Sequence, residues 1–121
     1  MLTDQPVIDG GKDAAVTPTE LLIASLASCV AFYAGRYLFR HGLDRAGLAV
    51  TAEFSMAADR PARVSAARLQ VTVPAGFPPQ RAAALLAVAS HCTVHNTLRQ
   101  GPDVSIELAD PLRMAVGPVG E

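Results

Sequence analysis

Residues 17–42 constrain this chain more than any other part of its sequence. Thr17, Pro18 and Glu20 supply an N-cap, a proline at the first helical position and a glutamate spaced to close a capping box. From Leu21 the chain continues through Leu22, Ile23, Leu26, Cys29, Val30, Phe32 and Tyr33 with no polar face. Arg40, His41 and Gly42 then provide a basic last turn and a glycine stop. A helix that is apolar on every side has to be buried on every side, so the spacing predicts a central helix enclosed by other elements or by another chain. Ser25, Ser28, Gly35 and Arg36 interrupt the apolar run, and these cap signals belong to a soluble helix rather than a membrane span; no membrane partner is expected.

The flanking segments are shorter and more regular. Residues 1–16 carry Asp4, Pro6, Gly10, Gly11 and Asp13 without periodicity, and read as an irregular arm that borrows its order from a neighbour. After Gly42, alternation of Leu48, Val50, Ala52, Phe54 and Met56 with polar or small residues predicts a half-buried strand, and Ala67, Leu69, Val71 and Val73 predict a second. Arg60-Pro61 marks the turn of an antiparallel hairpin between them. Residues 80–90 and 91–98 have helical character, Val104, Ile106 and Leu108 alternate as a last strand, and residues 112–121 read as a loosely ordered tail. The 121 residues thus form one α+β domain. So small a sheet covers one flank of the central helix, which makes a homodimer the natural way to cover the other.

Composition removes several function classes. Ten basic residues against 11 acidic ones give a net charge of −1, without the excess by which nucleic-acid binders neutralise phosphates, and no tryptophan is present to stack bases. Residues 1–6 contain no apolar signal-peptide core, so a reducing, cytoplasmic setting is expected. There is no phosphate-cradling glycine loop, no Gly-x-Ser-x-Gly elbow and no close carboxylate pair, and no cofactor is expected.

What chemistry the chain offers centres on sulfur. On a helix, Cys29 shares its face with Leu22 and Ser25 before it and with Phe32, Tyr33, Arg36 and Arg40 after it. Arg36 is the candidate cation to stabilise a thiolate, reaching back about 10 Å along the axis with its long side chain. The plainer reading of Cys29 is a small buried hydrophobe. Glu20, a candidate activating acid, is most economically a capping residue on the opposite side of the helix. Cys92 lies between His91 and His95, a spacing that suits thiolate activation or metal ligation, while histidines that merely cap or hydrogen-bond are the plainer alternative.

The motifs Thr17-Pro18-Thr19-Glu20-Leu21-Leu22, Ser25-Leu26-Ala27-Ser28-Cys29 and Cys92-Thr93-Val94-His95-Asn96-Thr97-Leu98 resemble the OsmC/Ohr family of osmotically inducible and organic-hydroperoxide-resistance proteins, over roughly residues 9–108. The resemblance implies an OsmC-like α+β fold with a long buried central helix against antiparallel sheet. It also implies an intertwined homodimer with sites at the subunit interface, and a thiol-dependent peroxidase acting on organic hydroperoxides. Cys29 matches the cysteine that attacks the peroxide and Cys92 the one that resolves it; the implied reductant is dihydrolipoamide or a lipoylated protein. Leu22, Leu26, Phe32 and Tyr33 would then form the apolar pocket for the substrate's organic tail. In the hydroperoxide-resistance branch an N-terminal β segment supplies the activating arginine. Here the 16 residues before Thr17 contain none, and Pro18 is followed by Thr19 rather than an acid, so Arg36 and Glu20 stand as the candidate activating groups. Two alternatives remain open: a non-enzymatic protein of this fold that binds a small apolar ligand, and a metal-binding protein using Cys29, Cys92, His91 and His95.

Overall fold

The computed structural model describes residues 1–110, so the expected tail lies outside the described residues. The central helix, α1, spans Pro18–Arg40. Its capping box is closed in both directions: Glu20 N–H donates to Thr17 Oγ1 at 3.0 Å, and Thr17 N–H donates to Glu20 Oε1 at 2.9 Å. At the other end Gly42 takes the left-handed conformation, φ +67°, and Leu43 N–H closes on the Leu38 carbonyl at 2.8 Å.

β1 (Ala49–Met56) and β2 (Val64–Thr72) form the expected antiparallel hairpin. The register pairs Val50 with Val71 and Ala52 with Leu69, so one row of side chains faces α1, and Val50, Leu69 and Val71 pack against the core. A 3₁₀ turn, Pro79–Arg81, leads into α2 (Ala82–Ala89), and α3 (Thr93–Arg99) follows after a bend at residues 90–92. The core is the common ground of these elements: Leu26, Val30, Ala34, Tyr37 and Leu38 from α1, Leu85 and Ala89 from α2, and Cys92.

One expectation is corrected and two are made specific. First, its own chain buries α1 on one flank only, as so small a sheet implies. Its inner flank is sealed, but Phe32 and Phe39 are 63% and 69% exposed, because a two-stranded sheet and two short helices shield only one side of a helix this long. By length and composition α1 is also apolar enough to cross a membrane. Second, residues 103–109 form no strand. Val104, Ile106 and Leu108 are 76%, 93% and 99% exposed, since alternation makes a strand only against a partner and, among the described residues, the segment pairs with neither edge of the hairpin. Third, the N-terminal arm carries hydrogen bonds of its own. The Asp4 carboxylate accepts N–H bonds from Gln5, Lys12 and Ala14, Asp4 N–H donates to the Val16 carbonyl, and Gly10 (φ +91°) turns the chain after the 3₁₀ turn Val7–Asp9. The three N–H donors hold the Asp4 carboxyl below its ordinary pKa.

Candidate functional site

The site lies where α1 meets the start of α3. Cys29, midway along α1, is half-buried and packs against the core. Cys92 is 0% exposed and occupies the N-cap of α3 with extended backbone angles, φ −71° and ψ 155°. Its sulfur accepts the His95 N–H at 3.4 Å, satisfying one of the amides that every helix leaves unpaired at its first turn. Burial pushes the Cys92 thiol pKa up. The His95 amide bond opposes that rise, while the Cys29 side chain raises it further, both as a hydrogen-bond partner and as a neighbouring charge. The two thiols are therefore neighbours, and both are free. One is reachable from solvent and the other is sealed beneath it.

The histidines do not face the sulfurs as a ligand set. α3 begins at Thr93, so His91 falls outside it and the expected i, i+4 pairing with His95 does not form. His91 Nδ1–H donates to the Ala87 carbonyl and His95 Nδ1–H to the Ser90 carbonyl, each at 2.6 Å, and Asn96 Nδ2 donates to the His91 carbonyl at 3.3 Å. These bonds fasten the bend between α2 and α3. Among the described residues no group of three or more His, Cys, Asp or Glu side chains is placed to hold a metal ion, which removes the reading in which Cys29, Cys92, His91 and His95 bind one.

Glu20 spends a carboxylate oxygen on the helix cap, nine residues before Cys29. Arg36 lies over aromatic rings: its guanidinium carbon is 4.7 Å from the centroid of Tyr33 and 5.7 Å from that of Phe32. Of the four residues expected to form one pocket, Leu26 and Phe32 line separate concavities. Leu26 borders a cavity of about 240 Å³ with Val30, Leu69, Val71, Leu86 and Ala89, between α1, β2 and α2. Phe32 borders one of about 450 Å³ with Gly35, Arg36, Phe39, Arg45 and Leu48. Leu22 is exposed, and Tyr33 is half-buried beside Cys29 on the core. The divergence follows from helix geometry, since residues on an apolar helix without a polar side need not share a face.

One contact escapes sequence reasoning. The Tyr33 hydroxyl meets Thr93 Oγ1 at 3.1 Å, joining the turn after Cys29 to the residue after Cys92. Nothing in the spacing of these residues signals the pairing, because it depends on where α3 is carried by the chain between them.

A family model described as OsmC-like protein matches residues 10–107. No curated protein matches the chain. Among solved structures, a protein of osmotic stress induction and detoxification response from Psychrobacter arcticus 273-4 is similar at 34% identity and a TM-score of 0.72, over 78% of this chain and 69% of that one. An organic hydroperoxide resistance protein OsmC from Legionella pneumophila, titled a predicted redox protein and regulator of sulfide bond formation, is 23% identical with a TM-score of 0.64, over 79% and 71% of the two chains. An OsmC-like protein of unknown function from Vibrio cholerae O1 biovar eltor is 18% identical with a TM-score of 0.61, over 78% and 68%. The last two likenesses are of fold.

Proposed function

Because this chain belongs to the family of OsmC-like proteins, we propose that it is a thiol-dependent peroxidase in which Cys29 attacks an organic hydroperoxide and Cys92 resolves the product. The observation that carries this reading is the pairing of two free thiols of unequal access, Cys29 half-buried and Cys92 sealed beside it. The Cys29 thiolate attacks the distal peroxide oxygen, the O–O bond breaks, and the alkoxide leaves to be protonated to the alcohol, with Cys29 left as a sulfenic acid. The Cys92 sulfur then attacks the Cys29 sulfur. The S–O bond breaks, and the hydroxyl takes up the Cys92 proton and departs as water. The raised Cys92 pKa suits this order, since it keeps that thiol protonated until its partner is oxidised.

An oxidant with an organic tail fits an approach past Leu22, Phe32 and Tyr33 better than hydrogen peroxide, which has no apolar part to bury. Arg36, anchored on the Tyr33 ring, is the candidate cation favouring the thiolate. A dithiol of the dihydrolipoamide class, free or on a lipoylated protein, is the proposed reductant, and the cytoplasm the proposed setting. The exposed flank of α1 is proposed to be covered by a second copy in a homodimer, which also completes the substrate's apolar wall. The competing reading, a protein that binds a small apolar ligand without chemistry, draws on the cavity between α1, β2 and α2, which neither cysteine lines.

Free thiols counted after adding cumene hydroperoxide to the reduced protein decide between the two. Prompt loss of both thiols, abolished by Cys29→Ser, supports the peroxidase. Survival of both thiols in excess hydroperoxide at neutral pH leaves the ligand-binding reading.

A further inference from the structure

We infer that Tyr33 is a positioning residue for the resolving step, acting through Thr93 to hold Cys92 against Cys29. The inference rests on the reading that these two cysteines form a disulfide. It begins from an asymmetry of support. Cys29 is carried by a helix of 23 residues, whereas Cys92 sits at the cap of a helix of seven, too short to be stable without help from its surroundings. The bonds of His95 and Asn96 tie α3 back to the bend after α2 and do not connect it to α1. Apart from the contact of the two thiols themselves, Tyr33 Oη to Thr93 Oγ1 is, among the described residues, the one side-chain hydrogen bond that joins α1 to α3 and its cap.

Its placement matches the task. Tyr33 stands one helical turn beyond Cys29, and Thr93 is bonded directly to Cys92. The tyrosine ring is held from two directions. Phe32 packs edge-on with centroids 5.7 Å apart at 77°, and the Arg36 guanidinium covers the ring at 4.7 Å. A ring fixed in this way sets the reach of its hydroxyl, and the hydroxyl sets the distance from α1 to the first residue of α3. A disulfide tolerates little error, since its torsion must fall near 90° and its Cα atoms within about 7 Å. Attack by Cys29 on an incoming reagent needs no such alignment. The strut therefore acts on the second step alone.

Reaction of the full-length reduced protein with 2,2′-dithiodipyridine separates the two steps without any hydroperoxide. Cys29 attacks first, releasing one thiopyridone and forming a mixed disulfide. Cys92 then displaces the second thiopyridone in a unimolecular phase, leaving the Cys29–Cys92 disulfide. Tyr33→Phe and Thr93→Val are each expected to slow the second phase by about threefold to tenfold, the effect of one net hydrogen bond, and Thr93→Val to leave the first unchanged. Thr93→Ser restores the wild-type rate, and the double variant is no slower than either single one, because both remove the same bond. Two results would overturn the inference: an unchanged second phase in both Tyr33→Phe and Thr93→Val, or equal slowing of both phases in Thr93→Val, which marks a general loosening of the fold. If hydroperoxide spares both thiols while the second phase still depends on Tyr33, the strut stands and the peroxidase reading falls.

Discussion

Replacing Glu20 separates a structural carboxylate from a chemical one. Its oxygen accepts the Thr17 N–H at 2.9 Å while its own N–H donates to Thr17 at 3.0 Å, both in exposed positions at the start of α1. Glu20→Ala removes the first of these bonds and a negative charge at the positive end of the helix dipole. The bond is worth about 1 kcal/mol net and the charge about 0.3–0.5 kcal/mol, so the loss comes to about 1.5 kcal/mol. For 121 residues the unfolding entropy is about 0.25 kcal/mol/K, which converts that loss to a fall in Tm of about 5–6 °C. Glu20→Gln keeps an acceptor for Thr17 and loses only the charge, so its Tm falls by about 2 °C. The assay pairs thermal unfolding at fixed protein concentration with the rate at which hydroperoxide consumes the Cys29 thiol. Both variants are expected to react within about twofold of wild type below their melting ranges, because the sulfur stands nine positions further along the helix than the carboxylate. A Glu20→Gln protein that melts within about 2 °C of wild type yet loses its thiol reactivity would refute the assignment of Glu20 to the cap alone.

Four further outcomes follow from the charge and exposure of particular groups. Iodoacetamide at pH 8 is expected to label Cys29 at least about tenfold faster than Cys92, by mass spectrometry of the digested protein, because Cys92 is both sealed and held protonated. The same raised pKa contributes stability that is fully present below the ordinary thiol pKa and is lost as pH rises through the higher native value. A Cys92→Ser protein should therefore lose less stability between pH 8 and pH 10 than the wild type in urea titrations. Asp4 works in the opposite direction: its depressed pKa stabilises the arm above the usual carboxylate range, and this is lost as pH falls through the lower native value. Amide protection at Lys12 and Ala14, taken relative to the intrinsic exchange rate at each pH, should fall below about pH 4, and in Asp4→Ala it should be low at all pH values. Finally, Ile106→Lys places a charge where a lone chain would tolerate it, at a side chain 93% exposed. If the proposed homodimer also buries this segment, the sedimentation mass falls from dimer to monomer with α1 helicity retained, and an unchanged mass places the interface elsewhere.

The elements legible in the sequence are those whose signals are local. The capping box and the glycine stop fix both ends of α1 from residues within a turn of each boundary, and alternation with a period of two fixes which face of the hairpin meets it. The same alternation at Val104, Ile106 and Leu108 fails to make a strand because pairing is not a local property: it requires an edge, and none in this chain receives the segment. Cys29 and Cys92 stand out by residue type, but their adjacency comes from the path through β1, β2 and α2, and no spacing rule contains it. The histidines show the converse error. Their i, i+4 interval presumed a helix already begun at His91, whereas the extended angles of Cys92 postpone it to Thr93 and turn both imidazoles onto the bend.

The hairpin of β1 and β2 offers both its outer edges to whatever strand arrives first, since no third strand pairs with either among the described residues. A chain with a net charge of −1 has little electrostatic repulsion to keep its copies from stacking on those edges without limit. Closed association between two copies would be a safeguard as well as a means of completing a pocket. A variant that blocks it should give a monomer that turns turbid as its concentration is raised, before any assay of sulfur chemistry registers the change.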